Sequence, residues 1–366
     1  MISFFRKSNR PIRIEKVQKK THGHATRVSS KIDGRTIWFE SSDIDLAASP
    51  EAFGSAMLIP ALELGRTLAV DDKVCRSWAE NIEVICPIVS KWWGYGPRSF
   101  DMKTEKIDAP DGGAGTSLCF SGGVDSFYTL LHGPRQADSL VCAIGYDVML
   151  KDAGRIAQVD RSVRDVAEEC GAKPILIATN IRSHRTFRKI SWERSHGGAL
   201  AALGHLLADN IGMLEISSSH PFVNFNPWGS SWKIDPYFSS DRVAIDHIGA
   251  EHWRSEKLRR IADESIVARH LRVCWKNLNS RFNCCRCEKC IRTMCILETC
   301  GQLEQYDCFE HGRGLCDIIN QAPPMEPFIL YTYELLLEDE LKRKTKEAVR
   351  HWLERSRTAI AGNNAA

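Results

Sequence analysis

Ser121-Gly122-Gly123-Val124-Asp125-Ser126 lies between a short apolar run, Thr116 to Phe120, and a stretch in which Val124, Phe127, Leu130 and Leu131 recur at three- to four-residue spacing. The pattern predicts a strand, a tight turn and a helix. Gly122 and Gly123 can take backbone angles closed to other residues and bring bare amides close to a ligand. A helix opening at Val124 aims unpaired N–H groups and its positive dipole end at the same place. Such a turn suits phosphate. Ser121 and Ser126 add hydroxyl donors, and Asp125 serves either as a helix cap or as a carboxylate on the magnesium side of a nucleotide. The P-loop pattern is excluded because its lysine is missing, and G-x-G-x-x-G does not fit either.

Downstream of this turn, strand and helix patterns alternate. Leu140 to Ile144 is a continuous apolar run of the kind buried in a parallel sheet, and Ile156, Val159, Val163, Val166 and Cys170 then follow at helical spacing up to Gly171. Ile175 to Ala178, Met213 to Ser217 and Val243 to Ile245 read as further strands, with a helix over Gly197 to Ala208. The fold class expected is α/β, a doubly wound parallel sheet. Ligands of such sheets sit beyond the carboxyl ends of the strands, which nominates Tyr146-Asp147, Thr179-Asn180 and Ser217-Ser218-Ser219 and expects them to converge near Gly122.

Pro221 to Phe238 holds Phe222, Phe225, Trp228, Trp232, Tyr237, Phe238 and Asp235. The loop reads either as a hydrophobic lid on its own domain or as a wall that stacks on a planar heterocycle, with Trp228, Trp232 and Asp235 as substrate residues. Arg254 and Lys257 begin a helix and serve either as an exposed basic face or as groups that reach pyrophosphate.

Upstream, residues 1–108 predict a small α+β domain. Ile12 to Val17 and Arg35 to Phe39 read as strands that pair in a hairpin, the second preceded by the turn pair Asp33-Gly34. Ser49-Pro50-Glu51 starts a helix that Gly65 ends and Pro60 should kink. A second helix over Val74 to Trp93 puts Trp78, Ile82, Ile85, Val89 and Trp92 on one face, either core or a docking surface. Ala109 to Gly115 is a linker by composition. Residues 116–300 form the α/β domain and 301–366 a helical extension.

Net charge of +3 is too mild to argue for nucleic acid or lipid as a partner. Met1 to Arg6 lacks the apolar segment of a signal peptide and no run approaches the ~18 apolar residues of a membrane span, so no membrane contact and a cytoplasmic location are expected. In a reducing compartment, clustered cysteines read as metal ligands. Nine of the fourteen cysteines fall between Cys274 and Cys316, and Cys274, Cys284, Cys287 and Cys290 form C-x9-C-x2-C-x2-C. Four thiolates so spaced can close a tetrahedral zinc site, with an iron–sulfur cluster as the rival. Cys285 stands where glycine would be comfortable, and Cys285, Cys295 and Cys300 read as structural.

Ser121 to Ser126 matches, residue for residue, the SGG-x-DS signature of the PP-loop ATP pyrophosphatases. The chain resembles this superfamily, whose members split ATP into AMP and pyrophosphate while adenylating an oxygen. Together with Cys274, Asn283-Cys284-Cys285-Arg286-Cys287-Glu288-Lys289-Cys290 and Arg292, the loop makes residues 116 to about 300 similar to the 7-cyano-7-deazaguanine synthases of queuosine biosynthesis. The resemblance implies a ligase binding ATP, Mg2+ and Zn2+, with Asp125 and Ser126 catalytic. Ser121 to Ser126, Tyr146 and Asp147 would hold the nucleotide. It implies a heterocyclic carboxylate substrate such as 7-carboxy-7-deazaguanine, and ammonia or an amine, which a partner protein can carry, as nucleophile. The family motif Phe-Asp-Tyr-Gly-Gln-Arg-His is replaced by Tyr146-Asp147-Val148-Met149-Leu150-Lys151. Diverged relatives act in bacterial defence and in sugar amidation. A homodimer is one assembly open to the chain. Two alternatives stay open: a nucleobase sulfur transferase, which needs a cysteine pair outside the metal site, and a non-catalytic nucleotide-binding subunit.

Overall fold

The computed structural model describes residues 10–95, 104–108 and 112–364. The N-terminal segment read for a signal peptide lies outside these residues, as do residues 109–111 of the expected linker. The chain divides into two compact units, Met1–Ser121 with His132–His252, and Gly122–Leu131 with Trp253–Ala366. The boundary expected near residues 109–115 therefore falls inside the first unit.

In chain order the first unit opens with β1 (Ile12–Ile14), β2 (Gln18–His22), β3 (Ala25–Ile32), β4 (Arg35–Ser41), α1 (Pro50–Leu64), β5 (Leu68–Val70), β6 (Val74–Cys75), α2 (Arg76–Trp93), β7 (Lys106–Ile107) and β8 (Thr116–Cys119). After α3 (Val124–His132) it continues with β9 (Ser139–Ile144), α4 (Ala153–Glu169), β10 (Lys173–Thr179), α5 (Trp192–Leu206), β11 (Met213–Ser217) and β12 (Ala244–Ile248). One mixed sheet runs β12-β11-β8-β9-β10-β4-β3-β1-β5, with β2 on β3. The five strands β8 to β12 are parallel, as their apolar runs imply. From β8 the chain steps outward to β9 and β10, then returns to the other side of β8 for β11 and β12. The strand order thus reverses beside β8, where ligands of open α/β sheets bind.

The N-terminal strands extend this same sheet: β4 runs antiparallel to β10, with Glu40 opposite Ala178 and Phe39 opposite Thr179. The expected hairpin is corrected in one respect. β1 and β4 do not pair; both flank β3, and Asp33 (φ 49°) with Gly34 (φ 79°) makes the two-residue turn of a β3–β4 hairpin. β3 escapes a hydrophobicity scan because Thr26 and Ser30 alternate with Val28 and Ile32 on its buried face.

Ser49 caps α1 by accepting from the Ala52 N–H at 3.3 Å, and the helix runs through Pro60 to a left-handed Gly65. α2 starts two residues later than expected because Val74 and Cys75 form a strand. Its face of Trp78, Ile82, Ile85 and Val89 is fully buried, so that stripe is core. α1 packs closely on both helices: a Cβ on Gly54 would sit 2.3 Å from the Trp78 ring, and one on Gly198 of α5 would sit 2.2 Å from the Ser55 carbonyl. Any side chain at either glycine would push these helices apart. No helix among the described residues is long and apolar enough to cross a membrane.

The second unit contains most of α3, then α6 (Arg254–Arg260), α7 (Ser265–His270), α8 (Glu288–Thr299), α9 (Leu315–Gln321), α10 (Leu330–Leu336) and α11 (Arg343–Asn364). The C-terminal helices are tied to the cysteine-rich segment: Tyr333, fully buried, donates from its hydroxyl to the Glu288 carbonyl at 3.0 Å. Its ring packs edgewise on Trp352, 5.0 Å between centroids.

Candidate functional site

The chain passes from β8 into the glycine turn and then α3, the strand–turn–helix order expected. Gly122 has φ +73° and its carbonyl accepts from the Arg272 N–H at 2.7 Å. That left-handed angle favours glycine, which explains the residue without reference to a ligand. The Phe127 N–H and the Ser126 hydroxyl both donate to the Gly123 carbonyl at 3.0 Å. Ser126 therefore spends its proton inside the turn, whereas Ser121 is exposed.

Asp125, expected as a cap or a magnesium-side carboxylate, lies between two cations. It sits inside the first turn of α3, nearly buried, with one oxygen against the Arg254 guanidinium and the other 3.5 Å from Lys257 Nζ. Lys257 is 1% exposed, so it belongs to no solvated basic face. Burial alone would raise the Asp125 carboxyl. The charges of Arg254 and Lys257, the Arg254 hydrogen bond and the charge of Lys289 outweigh that and hold it below the usual carboxylate range. Arg254 is raised in turn, first by the Asp125 charge. Its Nε is buried with no hydrogen-bond partner among the described residues. The turn, Arg254 and Lys257 thus form one anion-competent group, organised by a carboxylate.

Cys274, Cys284, Cys287 and Cys290 are all buried and their sulfurs lie within 4.8 Å of one another. Sulfur pairs at 3.4 Å (Cys287–Cys290) and 3.9 Å (Cys284–Cys290) bracket the edge of about 3.8 Å that a tetrahedron of ~2.3 Å metal–sulfur bonds requires. The four cysteines can hold a metal ion such as zinc. Hydrogen bonds among the four sulfurs hold the Cys274 thiol below its ordinary value and push the Cys287 and Cys290 thiols above theirs, as expected when one thiolate is shared by a crowded group of thiols. Backbone N–H groups of Cys287 and Asn277 donate to Cys284 Sγ and Cys274 Sγ, each at 3.3 Å. Cys285 has φ +58°, the glycine-like position expected, and its Sγ accepts from the Glu310 N–H at 3.2 Å. The residue that reading the cysteines alone misses is Asn283. Fully buried, it accepts from the Val273 and Cys274 N–H groups and donates to the Leu271 and Cys308 carbonyls, so it holds the two arms of the knuckle together.

In the first unit, Tyr146 and Asp147 follow β9 as expected, but Tyr146 is buried and its hydroxyl donates to the Ala199 carbonyl at 2.5 Å. That phenol is a packing group. Asp147 is exposed and faces Arg182 at 3.9 Å. Ser217 Oγ, at the carboxyl end of β11, is buried with no partner among the described residues.

The loop between β11 and β12 replaces a crossover helix with two short 3-10 turns, Phe222–Asn224 and Asp235–Phe238. Asp235 is fully buried and organises it: the Ser230 hydroxyl donates at 2.6 Å, the Ser231 N–H at 3.2 Å, and His247 Nδ1 of β12 lies 2.7 Å away. Trp228 packs edgewise between His196 and His220, at 5.7 and 5.2 Å, and Trp232 against Phe222 and Phe225. The two tryptophans therefore line a small cavity with Ser218, His220 and His247, while Asp235 stands behind it. Nothing in the sequence marked His247; its signal is three-dimensional, the pairing with a carboxylate twelve residues away. No protein-family model, curated protein or solved structure matches the chain.

Proposed function

We propose that the chain is an ATP-dependent ligase that releases AMP and pyrophosphate, adenylating a carboxylate on a planar heterocycle of the 7-carboxy-7-deazaguanine class for attack by ammonia or an amine. The observation that carries this reading is Asp125 gathering Arg254 and Lys257 beside a glycine turn at a helix N-terminus. In this reading the amides of the turn and the two cations hold the triphosphate. Magnesium belongs with the nucleotide's own phosphates, since both Asp125 oxygens already face cations. The substrate carboxylate attacks the α-phosphorus, pyrophosphate leaves, and the amine then displaces AMP. The fold would be that of the PP-loop pyrophosphatases, and the ion at the four cysteines zinc. A cubane iron–sulfur cluster puts each thiolate on a different iron and spreads the sulfurs more widely, so the close spacing disfavours the sulfur-transfer alternative.

The test is mass spectrometry of reactions containing ATP, magnesium, 7-carboxy-7-deazaguanine and an ammonium salt. AMP, pyrophosphate and an amide or nitrile product are expected. Release of ADP and phosphate would overturn the reading.

The aromatic loop is tested by Trp228→Ala and Trp232→Ala. If either ring stacks on the heterocycle, its loss weakens that ligand by about 1–3 kcal/mol and leaves ATP binding nearly unchanged. Separate titrations of the two ligands, with thermal unfolding alongside, read the outcome. A drop in melting temperature with no ligand selectivity would make the loop a packing element only.

A further inference from the structure

The small cavity at the carboxyl edge of the first unit has a built acid–base partner. Asp235 accepts from the Ser230 hydroxyl and the Ser231 N–H, and with no proton of its own to offer it must accept from His247 as well. His247 Nδ1 therefore carries a proton, and in the neutral ring Nε2 then presents a lone pair. Nε2 makes no hydrogen bond among the described residues, while the ring lines the cavity. The His247 side chain is 3% exposed and that of Asp235 fully buried, so the imidazole acts from a site shielded from bulk water.

The cavity measures about 10 Å³, room for one water-sized group. Its walls include Phe225, Trp228 and Trp232, and a cation already rests on two of these rings: Lys233 Nζ lies 4.2 Å from the Phe225 centroid and 4.9 Å from that of Trp232. Acceptor-bearing walls (Ser218, His220, Asn226 and His247), aromatic rings, a carboxylate behind and space for one heavy atom together describe a receptor for a nitrogen cation.

We infer that this cavity takes the ammonium head of the nucleophile, either free ammonium or the end of a primary amine, and that His247 Nε2 removes its proton. The step balances: R–NH3+ and neutral imidazole give R–NH2 and imidazolium, whose charge Asp235 offsets. The amine lone pair is thereby freed to act as a nucleophile. This rests on the ligase reading for the purpose of the amine, but the binding itself requires neither ATP nor turnover.

Two measurements test it. Long-range 1H–15N spectra of histidine-labelled protein, with His247→Gln to assign the signal, should show the Nδ1–H tautomer. Ammonium chloride should shift the His247 Nε2 resonance saturably, while sodium chloride at equal ionic strength should not. In turnover, the half-saturating ammonium concentration for AMP release should rise at least tenfold in His247→Gln. Asp235→Asn, if folded, should move the tautomer toward Nε2–H. Methylammonium and glycinamide in place of ammonium separate the sources: saturation by ammonium alone means free ammonia, and saturation by all three means a primary amine. An Nε2–H tautomer in the wild type, or a response that sodium chloride reproduces, overturns the proposal. A specific ammonium response without any AMP release would leave this site standing and remove the ligase reading; AMP release with no ammonium response at His247 would do the reverse.

Discussion

Asp125→Asn is expected to cut AMP and pyrophosphate release by about a thousandfold or more while the protein stays folded, on the scale of losing a preorganised electrostatic group. The amide can still accept from Arg254 but no longer offsets two cations. Arg254 and the 1% exposed Lys257 would then repel each other at the site proposed to hold phosphate. Asp125→Ala is a harsher change. It leaves Lys257 buried without its counter-charge and should cost about 3–5 kcal/mol of stability, far more than a lost helix cap. Steady-state AMP release with chemical denaturation of both variants checks this. Wild-type turnover in Asp125→Asn would sink the proposed role. The pH dependence follows from the same pair. The Asp125 carboxyl is held below its ordinary value, so its stabilisation is present above the unfolded carboxylate pKa of about 3.9 and is lost as pH falls through the lower folded value. Acid unfolding of Asp125→Asn should therefore lack that component.

Cys287→Ser, or prolonged chelation, is expected to unfold the segment from Val273 through α8 and to loosen the C-terminal helices. One zinc per chain and colourless protein are expected from elemental analysis and absorbance. Structural zinc binding in small domains is worth roughly 10–16 kcal/mol at neutral pH, and folding draws directly on it. Here the four sulfurs lie within 4.8 Å of one another and Asn283 ties both arms to the backbone. Removing the ion leaves crowded thiols with little else to hold the knuckle. Tyr333 anchors α10 on the Glu288 carbonyl, so the disturbance should spread to α10 and, through the Tyr333–Trp352 pair, to α11. Hydrogen exchange should locate the loss in the second unit. Brown protein containing iron, or a Cys287→Ser variant as stable as the wild type, would contradict a structural zinc.

Local chemistry made much of this protein legible before any tertiary contact was known. The apolar runs of β9 and β10, the Ser49 cap and Gly65 stop of α1, and the alternation of strand and helix after Thr116 each express a constraint acting over a few residues. The four cysteines are equally local, because two C-x-x-C steps almost enforce a knuckle. Tertiary structure alone decided what lies between distant segments. The pairing of β4 with β10 joins residues about 140 apart, and neither strand's own pattern names its partner. Asp125 was open to two roles because a carboxylate at a helix start suits a cap or a metal equally; only the arrival of Arg254 and Lys257, about 130 residues later, made it the centre of a charge cluster. His247 was invisible for the same reason. A histidine in a short strand carries no sign of its use until one ring nitrogen meets a buried carboxylate and the residue lines a cavity.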